Sequence, residues 1–295
     1  MPVPPVARTV RSGDLDLAVR EHSPAGPGRT TVVLVHGFPD QQDVWTALVG
    51  RFPLDRWHVV TYDVRGAGSS DAPAGPDGYR TERLLDDLVA VLDAVLPHGA
   101  AAHLVGHDWG SAQLWDAVAA EATDVRLRGR VASFTSISAP SLDHAGRLFA
   151  TPHGRRRALL RQALASWYVV LFCLPVLPVL LWRHGHPLVA RAVVRREGLP
   201  RGHWGPELGG NAVNGLGLYR DNVLARVRRP RPLHTDVPVL VVQPDRDSYV
   251  TAVFLQDLET SCSDLRVERL DAGHWAVVTH ADDVAALVVR HVDAH

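Results

Sequence analysis

The chain has 295 residues, a length that suits one large domain or two small ones and lets roughly three quarters of the unfolded surface become buried. A hydrophobic content of 46% and a formal net charge of −1 are ordinary for a soluble globular protein and give no sign of nucleic-acid binding. All 31 basic residues are arginine, which we attribute to genomic base composition before function.

The two cysteines, Cys173 and Cys262, lie far apart in no metal or redox spacing, which predicts a reduced, cytoplasmic protein. Residues 1–5, Met-Pro-Val-Pro-Pro, begin no apolar run of the kind found in secretory signals. The histidines show no liganding pattern, so we expect no metal site. The sequence makes no prediction of oligomeric state.

The first half of the chain alternates between strand and helix patterns. Residues 8–21 alternate apolar and polar around a turn at Ser12-Gly13-Asp14, which predicts a β-hairpin. Strands are then predicted by apolar runs at residues 31–35, 57–63, 100–105 and 131–137. Helices are predicted at residues 81–96 and 111–118. This alternation predicts an α/β fold with a mostly parallel central sheet flanked by helices on both faces.

The pattern changes between residues 140 and 232, where strand signals vanish. Residues 141–231 contain 15 arginines and four acidic residues, a net charge of +11. We interpret residues 140–232 as an inserted helical cap on a core made of residues 1–139 and 233–295. The core pattern then resumes with strands at 237–242 and 265–270 and helices at 254–259 and 279–291.

An apolar run at residues 167–182 is shorter than the about 20 residues that span a bilayer, and it contains Pro175 and Pro178. We therefore predict a pair of buried cap helices. The basic surroundings of the run leave peripheral membrane contact as a further expectation. In that alternative class, the protein would be a non-catalytic, lipid-binding or membrane-associating relative of an enzyme.

The stretch Gly106-His107-Asp108-Trp109-Gly110 lies between a predicted strand and a predicted helix. Small residues on both sides of a central position permit a turn that is too tight for larger side chains and that pushes the central side chain outward. Such a turn is a nucleophile elbow. Its central residue here is Asp108, where esterases and lipases carry a serine.

Two more candidates follow predicted strands: Asp247 comes after the strand at 237–242, and His274 after the strand at 265–270. Catalytic groups in open α/β sheets gather beyond the carboxyl ends of the strands. We therefore expect Asp108, Asp247 and His274 to meet, in the chain order nucleophile, acid and histidine. A histidine oriented by a carboxylate is a competent general base. Asp245 is the rival for the acid.

An aspartate nucleophile predicts a particular reaction class. A carboxylate is ionised at neutral pH and can displace a leaving group from saturated carbon, which forms an ester on the enzyme. His274 would then activate a water that hydrolyses this ester. The backbone N–H groups of Phe38 and Trp109 are expected to stabilise the resulting oxyanion. The expected substrates are epoxides or alkyl halides.

Nearly the whole chain resembles the α/β-hydrolase family, and its motifs are similar to those of epoxide hydrolases with this fold. His36-Gly37-Phe38-Pro39 is similar to the oxyanion loop of that family, and residues 106–110 are similar to its nucleophile elbow. The resemblance implies an α/β-hydrolase fold, hydrolysis of an epoxide to a vicinal diol, and Asp247 as the acid. It also implies structural roles for His36 and His107, while Asp63 and Arg65 are expected to hold the loop at 66–70.

The resemblance further implies two cap tyrosines that hydrogen-bond and protonate the epoxide oxygen. Tyr168 fits the first, although Cys173-Leu174 replaces a more usual polar pair. Tyr219 fits the Tyr-Arg-x-Asn pattern of the second, although Leu218 replaces a common aromatic residue. We assign a structural role to Tyr249. The expected substrate pocket includes Trp167, Phe172 and Trp275.

The closest alternative is a haloalkane dehalogenase, which shares the aspartate nucleophile and the tryptophan after it. That reaction needs a second donor to the departing halide, commonly an asparagine, whereas Phe38 offers no side-chain donor. A haloacid dehalogenase of the fluoroacetate type resembles residues 36–39 but prefers arginine where Trp109 stands. Diol formation and halide release distinguish these alternatives.

The sequence is also similar to the hydrolase half of actinobacterial epoxide hydrolases that continue into a short-chain-dehydrogenase domain. The present sequence contains no glycine-rich dinucleotide motif, so we expect no nicotinamide and no other cofactor. The expected partner is a small-molecule or lipid-derived epoxide. The expected localisation is cytoplasmic, with peripheral contact to a membrane through the basic cap as the further expectation.

Overall fold

Eight strands form one sheet in the order β1-β2-β4-β3-β5-β6-β7-β8. The structure, a computed structural model, describes residues 4–295. Residues 1–3, part of the stretch in which we expect no secretory signal, lie outside the described residues. The strands are β1 Val6–Ser12, β2 Leu15–Glu21, β3 Thr30–Val35, β4 Trp57–Tyr62, β5 Ala102–His107, β6 Val131–Ile137, β7 Val239–Pro244 and β8 Leu265–Leu270. The pairs β1–β2 and β2–β4 are antiparallel, and the remaining pairs are parallel.

A hydrophobic core covers each face of the sheet. Each strand contributes to both cores, because successive side chains of a strand point to opposite sides. On β3, Val33 and Val35 belong to one hydrophobic core, whereas Val32 and Leu34 belong to the core on the opposite face. The helices are α1 Thr46–Val49, α2 Thr81–Val95, α3 Trp109–Ala120, α4 Leu142–Ala150, α5 Arg156–Ala165, α6 Trp167–Phe172, α7 Leu177–Glu197, α8 Leu208–Arg228, α9 Ala276–Thr279 and α10 Ala281–Val292. The predicted α/β fold with a mostly parallel sheet is confirmed.

The prediction of a helix at residues 254–259 of the core is wrong. Residues 254–259 do not form a continuous helix, but two short 3-10 helices at Ala252–Leu255 and Leu258–Thr260. Asp257, between them, adopts a left-handed conformation with φ 60°. A left-handed residue cannot continue a right-handed helix, so the segment breaks there.

Five helices, α4 to α8, lie between β6 and β7, within the segment we interpret as the cap. Helix α8 packs against both α4 and α7. The division into a cap of residues 140–232 and a core of residues 1–139 and 233–295 stays a prediction. It agrees with the position of these helices between two strands that pair directly in the sheet.

The run at residues 167–182 forms α6 and the start of α7, as a pair of helices, but the prediction that the pair is buried is wrong. Trp167 is 65% exposed, Val170 is 70% exposed and Leu177 is 57% exposed. These side chains are exposed because no other element within residues 4–295 covers the outer side of the two helices. Within residues 4–295, no helix has both the length and the apolarity required to cross a bilayer.

A buried arginine fixes the end of α8 to the core. Arg226 donates from Nη1 to Asp116 Oδ2 of α3 at 2.8 Å and from Nε to Asp143 Oδ1 of α4 at 2.9 Å. It also donates to the hydroxyl of Thr81 at the start of α2 at 2.7 Å. Two carboxylates facing one guanidinium satisfy its charge and its donors together, which makes burial of the group tolerable.

We expect Arg226→Ala to lower the free energy of unfolding by about 3–5 kcal/mol, because it leaves Asp116 and Asp143 buried near a single remaining cation, the half-exposed Arg231. Chemical denaturation measures the difference. Arg228→Ala, at an exposed position on the same helix, is the matched control and should change stability by about 0.5 kcal/mol or less. Equal effects of the two variants would contradict this account of the buried network.

Candidate active site

Asp108 stands at the tip of the tight turn between β5 and α3. Its backbone has φ 52° and ψ −125°, a strained conformation for a residue with a side chain. The turn is packed too closely for any side chain at Gly106 or Gly110. A Cβ at Gly110 would overlap the carbonyl of Val35, and one at Gly106 would lie 2.5 Å from the Cα of Ser111. The turn therefore projects the Asp108 carboxylate beyond the carboxyl edge of the sheet.

The structure brings Asp108, Asp247 and His274 together. His274 Nδ1–H donates to Asp247 Oδ2 at 2.8 Å, and His274 Nε2 lies 3.4 Å from Asp108 Oδ2. Asp247 is itself fixed, since its Oδ1 accepts the backbone N–H groups of Tyr249 and Val250 at 2.8 and 3.0 Å. The imidazole thus lies between two carboxylates, one fully enclosed and one facing a cavity.

The two carboxylates determine the charge of the histidine. Burial lowers the pKa of His274, but the charges and hydrogen bonds of Asp247 and Asp108 outweigh burial and hold this pKa well above its ordinary value. The two carboxylates therefore favour the protonated, imidazolium form of His274. Removal of the charge on Asp108 would remove part of this stabilisation.

The backbone of His274 is held on both sides. Its carbonyl accepts hydrogen bonds from His107 Nε2–H and from the Ser138 hydroxyl, both at 3.0 Å. Its N–H donates to the Glu197 carboxylate of α7 at 3.0 Å. The side chain of Glu197 is only 3% exposed, and burial raises its pKa. A cap residue thus reaches the loop that carries the histidine.

Sequence reasoning missed Ser138 and Glu197. Glu197 gives a weak signal, as one of four acidic residues in a segment with 15 arginines. Ser138 gives none in sequence, although its φ of 57° is unusual in the structure. Sequence reasoning also missed Asp40, a buried residue that directly follows the loop at residues 36–39. Its carboxylate accepts the indole N–H groups of Trp204 and Trp275 at 2.6 and 2.8 Å. These contacts join the cap to the residue after His274.

The predicted oxyanion groups lie beside Asp108. The backbone N–H of Phe38 donates to Asp108 Oδ1 at 2.8 Å. Trp109 is the first residue of α3, so its N–H belongs to the group of amides at a helix start that have no partner inside the helix. A Cβ at Gly37 would lie 2.5 Å from Asp108 Oδ1, which explains why a glycine precedes Phe38.

A cavity of about 410 Å³ opens above Asp108. Its walls are mainly apolar and aromatic, and both predicted tyrosines, Tyr168 and Tyr219, line it together with Asp108 and His274. Burial raises the pKa of both hydroxyls well above the ordinary value, and the charge of Asp108 acts in the same direction. Both hydroxyls therefore keep their protons and are available as donors. The three predicted pocket residues also line the cavity: Trp167, Phe172 and Trp275.

Phe38 contributes through its ring as well as its amide. The ring packs against Phe172, Trp182 and Tyr219 with centroids 5.4, 5.6 and 5.3 Å away. Tyr219 also meets the Trp109 indole edge to face at 5.0 Å. Phe38, Phe172, Trp182 and Tyr219 all line the cavity, so these contacts hold an aromatic part of its wall. The Phe38 side chain has no polar atom to offer a departing group.

Tyr249 lies closer to the centre than its assigned structural role suggested. Its ring meets the His274 ring at 4.9 Å, and it lines the cavity. Burial raises the pKa of its hydroxyl to about 12. The Arg196 guanidinium lies 5.6 Å from the centroid of the Tyr249 ring, which places a cation of the cap above this wall.

The remaining candidates make structural contacts. His36 accepts the N–H of Val64 at its Nε2 at 2.9 Å, which holds the neighbouring loop. Asp63 accepts the N–H of Ser69 at 3.0 Å, whereas Arg65 pairs with Asp87 of α2. Asp245, the rival acid, pairs with Arg269 instead of His274.

Among the described residues, no group of three or more histidines, cysteines and acids is placed to hold a metal ion. Both cysteines, Cys173 and Cys262, are free thiols in the structure.

The sheet order, the elbow and the cavity define the class of protein. The profile of the α/β-hydrolase-fold family matches residues 30–281, and the chain belongs to this family. A "Probable oxidoreductase EphD" of Mycobacterium tuberculosis is 33% identical over 310 residues, which cover 98% of this chain and 50% of that protein. The chain therefore spans about half the length of the first curated relatives that it matches.

Other relatives are named epoxide hydrolases, so the predicted resemblance is confirmed as a resemblance. "Epoxide hydrolase A" of M. tuberculosis is 36% identical over 142 residues, covering 48% of this chain and 41% of that protein. The crystal structure of a Bacillus megaterium epoxide hydrolase superposes with a TM-score of 0.79 at 21% identity, over 97% of this chain and all of the other. Epoxide hydrolase A of Mycobacterium thermoresistibile gives 0.76 at 22%, over 98% of each chain. At these identities the structural matches show the shared fold.

We expect Asp108→Asn to lower the pKa of His274, because the variant removes one of the two negative charges that stabilise the imidazolium. Titration of the imidazole resonances by NMR measures this pKa, and the loss of a signal in His274→Gln assigns it. Asp245→Asn is the matched control, since it removes a nearby acid that pairs with Arg269. An unchanged His274 pKa in Asp108→Asn would contradict the proposed coupling.

Proposed function

We propose that the protein is an epoxide hydrolase that opens an epoxide to a vicinal diol through an ester on Asp108. The observation that carries this proposal is a carboxylate at a nucleophile elbow that faces a His–Asp pair and two protonated tyrosines across one apolar cavity. The relatives named epoxide hydrolases support it. The roles of the residues follow from their positions.

In the first step, Asp108 attacks a ring carbon of the epoxide. Oδ1 accepts the N–H of Phe38, which leaves Oδ2 as the attacking atom. A C–O bond forms between Oδ2 and the carbon while the ring C–O bond breaks, and the electron pair passes to the epoxide oxygen. The carboxylate needs no deprotonation for this attack, unlike a serine.

The departing oxygen stays attached to the substrate as an alkoxide, which is too basic to form without a donor. Tyr168 and Tyr219 line the cavity together with Asp108 and carry protons at neutral pH. Their hydroxyls would bind the epoxide oxygen before attack and transfer a proton as the ring opens. In this scheme the two tyrosines determine where the oxygen is placed, and therefore which carbon faces Oδ2.

Formation of the ester changes the state of His274. Asp108 loses its negative charge, so the pKa of His274 falls toward the value set by Asp247 and burial. The histidine then gives up its proton, which can neutralise the phenolate left by the first step, and becomes a base. The contact between Asp108 and His274 thus favours the protonated histidine before the reaction, and the loss of the Asp108 charge favours the neutral base after it.

In the second step, neutral His274 removes a proton from a water that attacks Cγ of Asp108. The tetrahedral oxyanion forms on Oδ1, where the Phe38 N–H already points, and the N–H of Trp109 is the second donor in this scheme. Collapse of the intermediate breaks the bond between Cγ and Oδ2, and the second proton of the water passes from the new hydroxyl to Oδ2. The diol then leaves with Oδ2, and Asp108 is again a carboxylate beside protonated His274. Asp108 keeps one oxygen from the water.

We also propose that residues 140–232 act as the cap that closes the cavity and selects the substrate. Two helices of this segment, α6 and α8, supply Trp167, Tyr168, Phe172 and Tyr219, and the aliphatic part of the wall comes from α5, α6, α7 and the start of α8. An apolar wall with a few convergent polar groups suits a small apolar or lipid-derived epoxide. Haloalkane hydrolysis uses the same nucleophile, and it is an outcome of the experiment below.

The covalent step predicts the source of the diol oxygen. In a single turnover in ¹⁸O-labelled water, the first diol should be unlabelled, because its new oxygen comes from Asp108. In His274→Gln, the ester should accumulate and its hydrolysis should slow by about 10²–10⁴-fold, as seen by mass spectrometry of the intact protein. Labelled diol in the first turnover would contradict the ester, and halide release without diol formation would favour a dehalogenase.

The tyrosines predict a loss of the ring-opening rate. Tyr168→Phe or Tyr219→Phe should each slow formation of the ester by about 10²–10³-fold, as expected for loss of one donor to a developing oxyanion. Tyr62→Phe is the matched control, because its buried hydroxyl has no hydrogen-bond partner among the described residues and lies outside the cavity. Ester formation at the wild-type rate in both cap variants would contradict the proposed role.

A further inference from the structure

The outer side of the cap carries an unusual concentration of apolar side chains. Of the thirteen large apolar side chains that are exposed among the described residues, nine lie within residues 160–188. We call these nine the cap apolar surface: Leu160, Leu164, Trp167, Val170, Leu174, Val176, Leu177, Leu180 and Leu188. Monomeric soluble proteins rarely expose extended apolar patches, and larger ones mark surfaces that bind a protein or a membrane.

The surface is the reverse side of the catalytic wall. On α6, Val170 is exposed and does not line the cavity, whereas Tyr168 and Phe172 line the cavity above Asp108. On α7, Leu177 and Leu180 are exposed, while neighbouring residues of the helix line the cavity. Each helix therefore presents apolar residues on both faces, and burial inside the protein explains only one of them.

The cavity reaches the surface among these residues. Leu164 and Trp167 line the cavity and are also 66% and 65% exposed. Leu181 of α7 lines the same cavity, so α5, α6 and α7 meet at its rim. A substrate that enters here passes between apolar side chains and then reaches Tyr168.

Arginines border the apolar residues. On α5 and α7, six exposed arginines have no acidic partner within residues 4–295: Arg156, Arg157, Arg161, Arg183, Arg191 and Arg195. Residues three or four apart are neighbours on a helix. Arg161 therefore lies beside Leu164 on α5, and Arg183 and Arg191 lie beside Leu180 and Leu188 on α7. The segment that contains them has a net charge of +11.

We propose that the cap apolar surface docks on the face of an anionic lipid bilayer, and that the cavity takes long-chain epoxides directly from that bilayer. Leucines and a tryptophan would enter the boundary of the acyl chains, while the arginines bind lipid phosphates around them. The first part is independent of the catalytic chemistry. The second part rests on the proposed epoxide hydrolysis.

Charge favours a bilayer over a second copy of the chain as the occupant. Two copies that met through this surface would bring their unpaired arginines together, and like charges across an interface oppose association. An anionic membrane supplies the complementary charge over the whole rim. A long apolar epoxide resides in the same bilayer, so its ring can enter between Leu164 and Trp167 while its chain remains in lipid.

The test measures partitioning of the whole chain onto vesicles of phosphatidylcholine with or without phosphatidylglycerol, by flotation. We expect strong binding to the anionic vesicles, weaker binding to the neutral ones, and loss of the difference as salt increases. Asp108→Asn should bind like the wild type, because the surface does not depend on the chemistry. Absence of binding to anionic vesicles would overturn the proposal.

Two sets of variants locate the contact. Arg157→Gln, Arg161→Gln and Arg183→Gln combined should weaken binding to anionic vesicles by roughly 100-fold and leave binding to neutral vesicles unchanged. Val170→Ser and Leu188→Ser combined should weaken binding to both. Arg290→Gln and Val125→Ser, which change an exposed arginine and an exposed valine of the core, are the matched controls. Equal effects of cap variants and controls would overturn the assignment of the surface.

Two substrates separate this inference from the proposed function. A short, water-soluble epoxide tests the chemistry, and both cap variants should hydrolyse it at the wild-type rate. A long-chain epoxide in anionic vesicles tests delivery, and hydrolysis should fall in both cap variants in parallel with binding. Hydrolysis of neither substrate by the wild type would refute the function alone. Dimerisation through Val170 and Leu188 without vesicle binding would identify a second copy as the occupant and overturn the proposal.

Discussion

The site depends on one buried arrangement, a histidine held between two carboxylates. His274 donates to Asp247 at 2.8 Å and faces Asp108 at 3.4 Å in a place closed to water on the Asp247 side. Burial alone would favour the neutral histidine, and the two charges reverse that preference. The arrangement thus responds to the charge of Asp108, and in the mechanism that we propose an ester at Asp108 would change the histidine from a counter-ion into a base.

This arrangement is supported by both parts of the chain. The strained turn at Asp108 and the Phe38 amide come from the sheet edge, and His107 and Ser138 hold the carbonyl of His274. The cap adds the Glu197 carboxylate at the N–H of the same residue. Helix α7, which ends at Glu197, also carries part of the cap apolar surface. One helix therefore joins the outer surface to the loop that bears the histidine.

Sequence reasoning succeeded where function follows strand ends. Asp108, Asp247 and His274 follow β5, β7 and β8, and parallel strands bring such residues to one edge whatever their separation along the chain. It could not reach contacts that depend on how elements pack. Glu197 lies 77 residues from His274, and Asp40 lies 235 residues from Trp275. No local pattern specifies such a pair. The cap tyrosines were found through resemblance, because an isolated tyrosine on a helix has no pattern of its own.

The sequence by itself determined the α/β class, the aspartate at the elbow and the net charge of +11 in residues 141–231. Those properties depend on local periodicity, on residue type and on composition. Only the tertiary structure decided that His274 pairs with Asp247 and not Asp245, and that the run at 167–182 is exposed. An apolar pattern requires a face to be covered, but it does not specify the partner. Packing between distant elements decides which faces are covered, and here it leaves one face of the cap open.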